Sequence, residues 1–360
     1  MKKYLIYPEN YDSCQRARLN QVLQFGQNKE RLSHYIPIRS PQELLSNRDQ
    51  LKNSLILFAV HLGKSNLNSM LYEMICMIRE DEDCLTGCVA GVLVDGSQEL
   101  YTKETGREIV FTLNRSGATI PGGCFVEATG SLKNYSIQAQ NQNISLMEAY
   151  EKNAERLIAN LEQFQFPTFP KPRLLCIHAS SHYSSNTYAI WEQVKTQLQD
   201  FEIEEFNARN GTIQDCSGCP FQMCKHYSEK GSCFYGGAIV TEAYPAVERC
   251  DAIMILAPNY NDALSANLSA FINRLTSLYR KVSFSDKYLF SIIVSGYSGG
   301  DIVANQLISA LNMNKKFILP GRFAFFETAN DPGSVFTNSS LQSDIETYSQ
   351  RIRSYLINQS

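Results

Sequence analysis

The sequence predicts an α/β protein with two tandem, doubly wound parallel-sheet domains, of which the N-terminal one is degenerate. Short apolar runs alternate with segments of helical periodicity, which is typical of buried parallel strands joined by helices. This order occurs twice, on either side of the proline-rich segment "FPTFPKPR". At 360 residues, the chain also exceeds what one hydrophobic core usually supports. We therefore expect domains at 1–165 and 173–360, joined by a proline-rich linker at 166–172.

The first half contains five runs that we interpret as strands. Each run is short and apolar and is followed by turn or helix signals. A helical pattern in "SLMEAYEKNAERLIANLEQF" would close this domain. The predicted strands are "KYLIY", "SHYIPI", "SLILFAV", "CVAGVLV" and "CFVEAT".

The second half repeats this order. Helical patterns around "LSAFINRLTSLY" and "IVANQLISALN" separate its later strands, and "SLQSDIETYSQRIRSYLIN" would be the last helix. The segment "ILFAVHLGKSNLNSMLYEMI" of the first half is similar in layout to "ILAPNYNDALSANLSAFINRL" of the second, which indicates two copies of one fold. The predicted strands are "RLLCIHAS", "FEIEEF", "DAIMILAP", "YLFSIIVSG" and "GRFAFFET".

Charge and hydropathy restrict the classes of partner. The formal net charge is -3 and the isoelectric point is near 6.0, so neither nucleic acid nor an anionic membrane surface is an expected partner. No apolar run is long enough to cross a bilayer, and the apolar stretch before Pro8 is too short for a signal peptide. We expect a cytoplasmic protein, in which eleven cysteines indicate metal or redox use more than disulfides.

The segment "ASSHYSSNT" at 179–187 joins the first strand of the second half to a helix. Open α/β sheets bind ligands at such strand ends, where free N–H groups and the helix dipole favour a phosphate. The segment contains neither GxxxxGK[ST] nor GxGxxG. Its neutral donors suit a monoester phosphate held without magnesium. The alternative is a serine-rich turn in which Asn186 caps the helix.

This loop resembles the "GSxRxxGNT" loop of the NADPH-dependent FMN reductases, which have a flavodoxin-like fold. Ser180, Asn186 and Thr187 match that pattern, whereas Ala179, His182 and Ser185 depart from it. In the same order, "APNY" resembles the family's "xPvY", "LSAFINRL" resembles its "LKaFiDRl" helix, and "SGYSGGD" falls where the family has a glycine-rich loop. The resemblance covers residues 171 to about 330.

The resemblance implies that the second half binds FMN. The first half instead has "YPENYDSCQ" after its first strand, where Glu9 and Asp12 would repel a phosphate, so one FMN per chain is expected. The implied phosphate contacts are Ser180, His182, Ser185, Asn186 and Thr187, and the implied ring contacts are Pro258, Asn259, Tyr260, Ser295, Gly296, Tyr297, Ser298, Gly299 and Gly300.

A cysteine-rich insert, "CSGCPFQMCKHYSEKGSC" at 216–233, follows the second strand of this half. Four thiolates can hold tetrahedral zinc or a 4Fe-4S cluster. The insert resembles that of the iron-sulfur flavoproteins, a branch of the same family with closer cysteine spacing. We expect one metal centre, with iron-sulfur ahead of zinc, and reduced thiols without metal remain open. The four predicted ligands are Cys216, Cys219, Cys224 and Cys233.

Together these patterns predict an FMN-dependent NAD(P)H oxidoreductase that passes electrons to a small-molecule or protein acceptor. No catalytic acid or base is expected, because the flavin carries the chemistry. One alternative is an iron-sulfur flavoprotein that acts as an electron carrier or redox sensor. Another is a zinc-tied, non-enzymatic interaction module. Because such reductases commonly form dimers, the first half is expected to take the place of a partner subunit in an intrachain pseudo-dimer, and a homo-oligomer remains open.

Overall fold

The computed structural model describes residues 1–9, 17–180, 184–209, 211 and 213–357. The first compact unit comprises Met1–Gln165 with the short segment Pro320–Arg322, and the second comprises Phe166–Leu319 and Phe323–Ser360. Each unit contains a five-stranded sheet in which every strand pairs in parallel with its neighbours. The predicted fold class, two parallel-sheet α/β domains, is therefore confirmed.

In the first unit the sheet order is β2-β1-β3-β4-β5, which is the order of flavodoxin-like folds. The elements in chain order are β1 (Lys3–Ile6), α1 (Ala17–Leu23), α2 (Asn28–Leu32), β2 (Ile36–Ile38), α3 (Pro41–Asn47), β3 (Leu55–His61), α4 (Ser69–Arg79), β4 (Val89–Asp95), α5 (Thr102–Arg115), β5 (Phe125–Ala128), α6 (Ser136–Gln142) and α7 (Leu146–Gln163).

The central strands of this sheet explain the apolar runs of the sequence. Every residue of β3 and β4 is buried, because a parallel sheet covered by helices has no solvated face. Helices α4 and α7 begin where Asn68 and Ser145 cap them, accepting hydrogen bonds from Leu71 N at 3.1 Å and Glu148 N at 3.0 Å. Local sequence signals thus set where these helices begin.

The second unit has the order β10-β9-β8-β6-β7, which is the same arrangement counted from the other edge. None of the helices within the described residues combines the length and apolarity that a bilayer crossing needs. The elements in chain order are β6 (Arg173–His178), α8 (Asn186–Thr196), β7 (Glu202–Asn207), α9 (Phe221–Glu229), α10 (Tyr244–Arg249), β8 (Ala252–Pro258), α11 (Ala266–Tyr279), β9 (Tyr288–Ser295), α12 (Gly300–Leu307), β10 (Ala324–Thr328) and α13 (Leu341–Leu356).

Large buried side chains that also form hydrogen bonds stabilise the core of the second unit. Trp191 on α8 is fully buried, and its indole N–H donates to Glu205 on β7 at 3.0 Å. Tyr348 on α13 is also buried, and its hydroxyl lies 2.8 Å from the carbonyl oxygen of Ser291 and 2.9 Å from that of Phe323. These bonds fix the outer helices against the sheet, because a buried polar group needs a partner.

At the carboxyl edge of the first sheet, a buried ion pair bridges the strand ends. Asp95 ends β4, and its side chain is fully buried. Arg18 on α1 donates to both of its carboxylate oxygens, at 2.9 and 3.1 Å. Nδ1 of His61, which ends β3, lies 2.8 Å from the same carboxylate. Arg18 also donates to the carbonyl oxygens of Gly96 at 2.6 Å and Gly130 at 2.9 Å, so it ties together the loops after β4 and β5.

This arrangement adds a cation that the sequence argument overlooked. We predicted an acidic edge from Glu9 and Asp12. Asp12 lies outside the described residues, and the backbone N–H of Glu9 donates to Arg39 O at 3.0 Å. Arg18 lies just beyond the quoted segment "YPENYDSCQ", and local sequence gives no sign of its pairing with Asp95.

We predict that Arg18→Ala destabilises the first unit by about 3 kcal/mol, because it leaves the Asp95 carboxylate buried without its cation. Urea unfolding followed by far-UV circular dichroism measures this loss. Lys152→Ala is the matched control. Lys152 pairs with Glu148 at 2.8 Å on the exposed face of α7, and its removal should cost about 0.5 kcal/mol or less. Equal effects of the two substitutions would contradict the structural role given to Arg18.

Candidate functional site

A cleft of about 470 Å³ opens at the carboxyl edge of the second sheet. The loops that line it follow β6, β8, β9 and β10, so four strand ends contribute. The sheet order reverses between β6 and β8, and open α/β sheets bind their ligands at this switch point. The lining residues are Ser184, Ser185, Asn186, Thr187, Pro258, Asn259, Tyr260, Asn261, Asp262, Val294, Gly296, Tyr297, Ser298, Ala329 and Asn330.

Most of the sequence-predicted contacts converge on this cleft, although some do not line it. Ser180, Ser295, Gly299 and Gly300 belong to the same loops but are not among the lining residues. His182 lies outside the described residues. The predicted contacts that do line the cleft are Ser185, Asn186, Thr187, Pro258, Asn259, Tyr260, Gly296, Tyr297 and Ser298.

The loop after β6 is built around the start of α8. Ser185 is the N-cap, and its hydroxyl accepts from Tyr188 N at 3.2 Å and lies 3.2 Å from Ser180 Oγ. The side chain of Asn186 donates to Asp331 O and accepts from Gly333 N, each at 2.8 Å. Asn186 therefore clamps the loop after β10 against the start of α8, a role that differs from the phosphate contact we predicted for its side chain.

The loop after β8 is a tight turn. Tyr260 and Ala263 exchange backbone hydrogen bonds at 3.1 and 3.2 Å, while Asn261 and Asp262 both have positive φ, of 52° and 58°. Two consecutive left-handed residues define a type I′ turn, which Asn and Asp tolerate better than most side chains. The turn holds Tyr260 at the cleft with 61% of its surface exposed.

Asn259 joins this turn to the loop after β9. Its side-chain amide donates to Ser298 O at 2.8 Å, and its backbone N–H donates to Val294 O at 2.8 Å. Gly299 lies where the loop after β9 packs closely against the loop after β8, and its φ is +84°. A Cβ at this position would lie 2.1 Å from Asp262 Oδ1 and 2.8 Å from Asn259 Nδ2. Glycine is required at this position both for its backbone angle and for the close packing of the two loops.

The polar groups of the cleft fit a planar, hydrogen-bonding ligand such as the flavin ring. Within the described part of the chain, Ser295 Oγ and Asn259 Oδ1 are buried and have no hydrogen-bond partner. Buried polar atoms are rarely left unpaired, so Asn259 Oδ1, whose residue lines the cleft, suits a ligand donor, whereas Ser295 does not line the cleft. Tyr260 and Tyr297, the latter 84% exposed, add aromatic surface at the cleft.

The charge of the cleft is low. Among the described residues that line it, Asp262 is the only one with a charged side chain. The lining residues at the start of α8 carry only hydroxyl and amide side chains, on Ser184, Ser185, Asn186 and Thr187. An anionic phosphate would therefore depend on neutral donors and on the positive end of the helix, as the sequence indicated.

The sequence argument missed five lining residues, while Ser184 was part of the predicted donor loop. Asp262 and Asn261 follow the quoted "APNY" directly, so extending that motif by two residues would have found them. Ala329 and Asn330 follow the last predicted strand, and the rule that ligands lie at the carboxyl ends of parallel strands pointed to them. The missed residues are Asn261, Asp262, Val294, Ala329 and Asn330.

The structure does not assemble the four predicted metal ligands. Cys216 is exposed, whereas Cys219, Cys224 and Cys233 are partly buried and free. Over the residues that the structure describes, no three His, Cys, Asp or Glu side chains form a group that could hold a metal ion. Cys219 Sγ instead lies 3.7 Å from the hydroxyl of Tyr235. A metal centre in this insert stays a prediction.

A buried arginine lies beneath the cysteine-rich insert. Arg274 on α11 is only 2% exposed. Its guanidinium donates to Gln214 O at 3.1 Å and to Gly236 O, so it binds the chain on both sides of residues 216–233. Its Nε has no hydrogen-bond partner among the described residues. The insert is thus anchored at its two ends by one cation.

We predict that Gly299→Ala destabilises the second unit by about 2 kcal/mol, because Asn259 and Asp262 must move and the Asn259–Ser298 hydrogen bond is lost. Gly333→Ala is the control, since Gly333 has φ of +78° but nothing lies within 4 Å of the position that a Cβ would take there. It should cost only the backbone strain, about 1 kcal/mol. Urea unfolding followed by the fluorescence of Trp191, the single tryptophan, measures both. Equal losses would contradict the close approach of the two loops.

The geometry agrees with a family comparison. A model of the NADPH-dependent FMN reductase family matches residues 172–331, which is slightly under half of the chain and includes every residue that lines the cleft. Among curated proteins, none matches the chain.

Several solved structures are similar to about half of the chain. RosB with a bound 8-demethyl-8-formylriboflavin-5'-phosphate intermediate is 14% identical, with a TM-score of 0.40, over 51% of this chain and 79% of that one. A flavodoxin, WrbA-like protein from Agrobacterium tumefaciens is 12% identical, with a TM-score of 0.34, over 51% and 96%. The apo form of the NADH:FMN oxidoreductase EMOB is 14% identical, with a TM-score of 0.33, over 50% and 89%. Likenesses at this level carry no argument about function.

The predicted resemblance of the second half is therefore confirmed: residues 172–331 match the model of the NADPH-dependent FMN reductase family, and the cleft lies within that segment.

Proposed function

We propose that this protein is an FMN-dependent NAD(P)H oxidoreductase that transfers electrons from a nicotinamide to a small-molecule or protein acceptor. The observation that carries the proposal is the convergence of the loops after β6, β8 and β9 on one cleft inside the segment that matches the reductase family. Those are the loops in which the sequence predicted the phosphate and ring contacts. The unpaired side-chain oxygen of Asn259, which lines the cleft, supports a ligand that donates a hydrogen bond at that position.

The chain's own groups would bind and orient the cofactor. The N–H groups at the start of α8, with the hydroxyls of Ser180 and Thr187, would bind the phosphate, and His182 remains a predicted contact. The turn at Tyr260 and the loop at Tyr297 would hold the ring. When bound, FMN supplies the chemistry, since its ring accepts a hydride and releases electrons as a pair or singly. No acid or base of the chain is needed for that transfer.

The exposed surfaces of Tyr260 and Tyr297 support access of a second molecule to the cleft. A nicotinamide and an acceptor must each approach the ring, and both tyrosines leave an open, aromatic boundary at which flat groups can stack. This favours turnover with exchangeable substrates.

We predict one FMN per chain, because in the first unit the ion pair of Arg18 and Asp95 bridges the sheet edge at which a second flavin would bind. We also predict that the flavin-bearing species is a single chain. This also follows from our proposal that the first half takes the place of a partner subunit. Acid release and chromatography of the flavin give its identity and its ratio to protein, and light scattering gives the mass of the flavin-bearing species. Two flavins per chain, FAD in place of FMN, or flavin only on chain dimers would contradict the prediction.

Turnover separates an enzyme from an electron carrier. We expect steady oxidation of NADH or NADPH with a soluble acceptor such as a quinone or ferricyanide. A protein that is reduced once by a nicotinamide but shows no steady turnover would instead be a carrier or redox sensor. Colourless protein with bound zinc would favour a non-enzymatic module.

The cysteine-rich insert keeps the carrier hypothesis open. Four thiols lie within residues 216–233, at least one is exposed, and the buried cation of Arg274 lies against the chain at both ends of the insert. Four thiolates can together hold tetrahedral zinc or a 4Fe-4S cluster. We therefore retain the proposal of one metal centre, with iron-sulfur ahead of zinc.

We predict that Cys219→Ser lowers the metal content of anaerobically prepared protein by more than half, since it removes one of four ligands. Cys76→Ser is the matched control, because Cys76 is an exposed thiol on α4 of the first unit. Iron, sulfide and zinc analysis measures the result. Wild-type protein without iron or zinc after anaerobic preparation would refute the metal centre.

A further inference from the structure

We infer that His178 is the positioning residue of the phosphate-binding loop, an inference that rests on the proposed FMN site. His178 ends β6, and only 1% of its surface is exposed. Its Nδ1 accepts a hydrogen bond from the backbone N–H of Ser180 at 3.3 Å. Ser180 is the first polar residue of the loop, and it matches the serine of the family pattern "GSxRxxGNT". The sequence analysis gave His178 no such role.

Ser180 is held from several sides at once. Its carbonyl oxygen lies 3.5 Å from the side-chain amide of Asn207, which ends β7. Its hydroxyl lies 3.2 Å from that of Ser185, the N-cap of α8. The contact with His178 holds the backbone of Ser180 where the loop leaves the sheet, and the other two contacts link Ser180 to β7 and to the start of α8.

The acceptor role of Nδ1 requires one tautomer of the imidazole. A nitrogen that accepts from an N–H carries no proton, so the ring proton must be on Nε2. Nε2 faces the carboxylate of Glu205, with 4.0 Å between Nε2 and Oε2. The negative charge of that carboxylate favours the proton on the near side of the ring, in the same way that a buried carboxylate fixes the tautomer of a catalytic histidine.

Glu205 is itself held in place as an anion. Its carboxylate accepts from Trp191 Nε1 and Lys195 Nζ, both at 3.0 Å, and from the Tyr188 hydroxyl at 3.2 Å. Burial opposes ionisation, yet the hydrogen bonds from Trp191 and Lys195 keep the pKa of Glu205 below its usual value. The Tyr188 ring also lies 5.1 Å from the imidazole and restricts its rotation. Glu205 thus orients the imidazole of His178, and His178 in turn holds the backbone N–H of Ser180.

The experiment compares His178→Asn with His178→Leu in the full chain. The two side chains are similar in size and shape, and both leave the same gap beside Tyr188. Asn places an oxygen near the position of Nδ1, so it can still accept from Ser180 N–H, whereas Leu cannot. We expect FMN to bind to the Asn variant within about threefold of wild type and about tenfold more weakly to the Leu variant.

Riboflavin, which lacks the phosphate, separates positioning from general damage. If His178 acts through the phosphate loop, the Asn and Leu variants should bind riboflavin equally, and the tenfold difference should appear with FMN alone. A difference of the same size with both flavins would show a purely structural role and would overturn the inference. Equal FMN affinities of the two variants would also overturn it.

Two further outcomes are kept distinct. If wild-type protein binds neither flavin, the proposed function fails and this inference fails with it. If wild type binds FMN but the Leu variant does not fold, the tautomer of His178 in the wild-type protein tests the inference instead. Long-range ¹H–¹⁵N spectra of histidine-labelled wild type should show His178 with its proton on Nε2. A proton on Nδ1 would refute the positioning role even though FMN binds.

Discussion

The position of β6 between β7 and β8 is the constraint on which the site in the second unit depends. Pairing in parallel on both sides, from Leu174 to Ile177, fixes the register of β6 with each neighbour. Because the strand order reverses there, the connections after β6 and β8 leave toward opposite faces of the sheet and a cleft opens between them. The start of α8, the type I′ turn at Tyr260 and the glycine-rich loop then reach one ligand-sized space.

The two units share one sheet order, but the carboxyl edges of their sheets differ in charge and pairing. In each, the fourth strand ends in a buried polar residue followed by glycine: Asp95 in the first and Ser295 in the second. Asp95 is a charge, and burying it requires the guanidinium of Arg18, which ties the edge of the sheet together. Ser295 is neutral, and its hydroxyl has no partner among the described residues. The carboxyl edge of the first sheet is thus bridged by an ion pair, whereas the residue at the corresponding position in the second sheet carries no charge.

Several polar residues near the cleft serve the loops more than they face a ligand. Asn186 holds the loop after β10, and Asn259 holds the loop after β9. His178 holds the backbone of Ser180 from below. Because these side chains are engaged, the phosphate of the proposed FMN would depend on backbone N–H groups and hydroxyls. Such a support network keeps neutral donors in fixed positions, which matters most where Asp262 is the only charged group among the described lining residues.

The sequence by itself determined the ten strands, their parallel class and the loops after β6, β8 and β9 that meet at the cleft. A central strand that is buried on both faces leaves a continuous apolar run, and such a run can be recognised from the sequence of that strand alone. It also determined, through ordered motifs, that residues 171 to about 330 resemble the reductase family. Only the tertiary structure decided which side chains pair. Arg18 and Asp95 are 77 positions apart, and Asn186 and Gly333 are 147 apart. Such contacts depend on how distant elements pack, and local periodicity carries no record of that. For the same reason, close spacing of four cysteines could not fix whether their thiols converge.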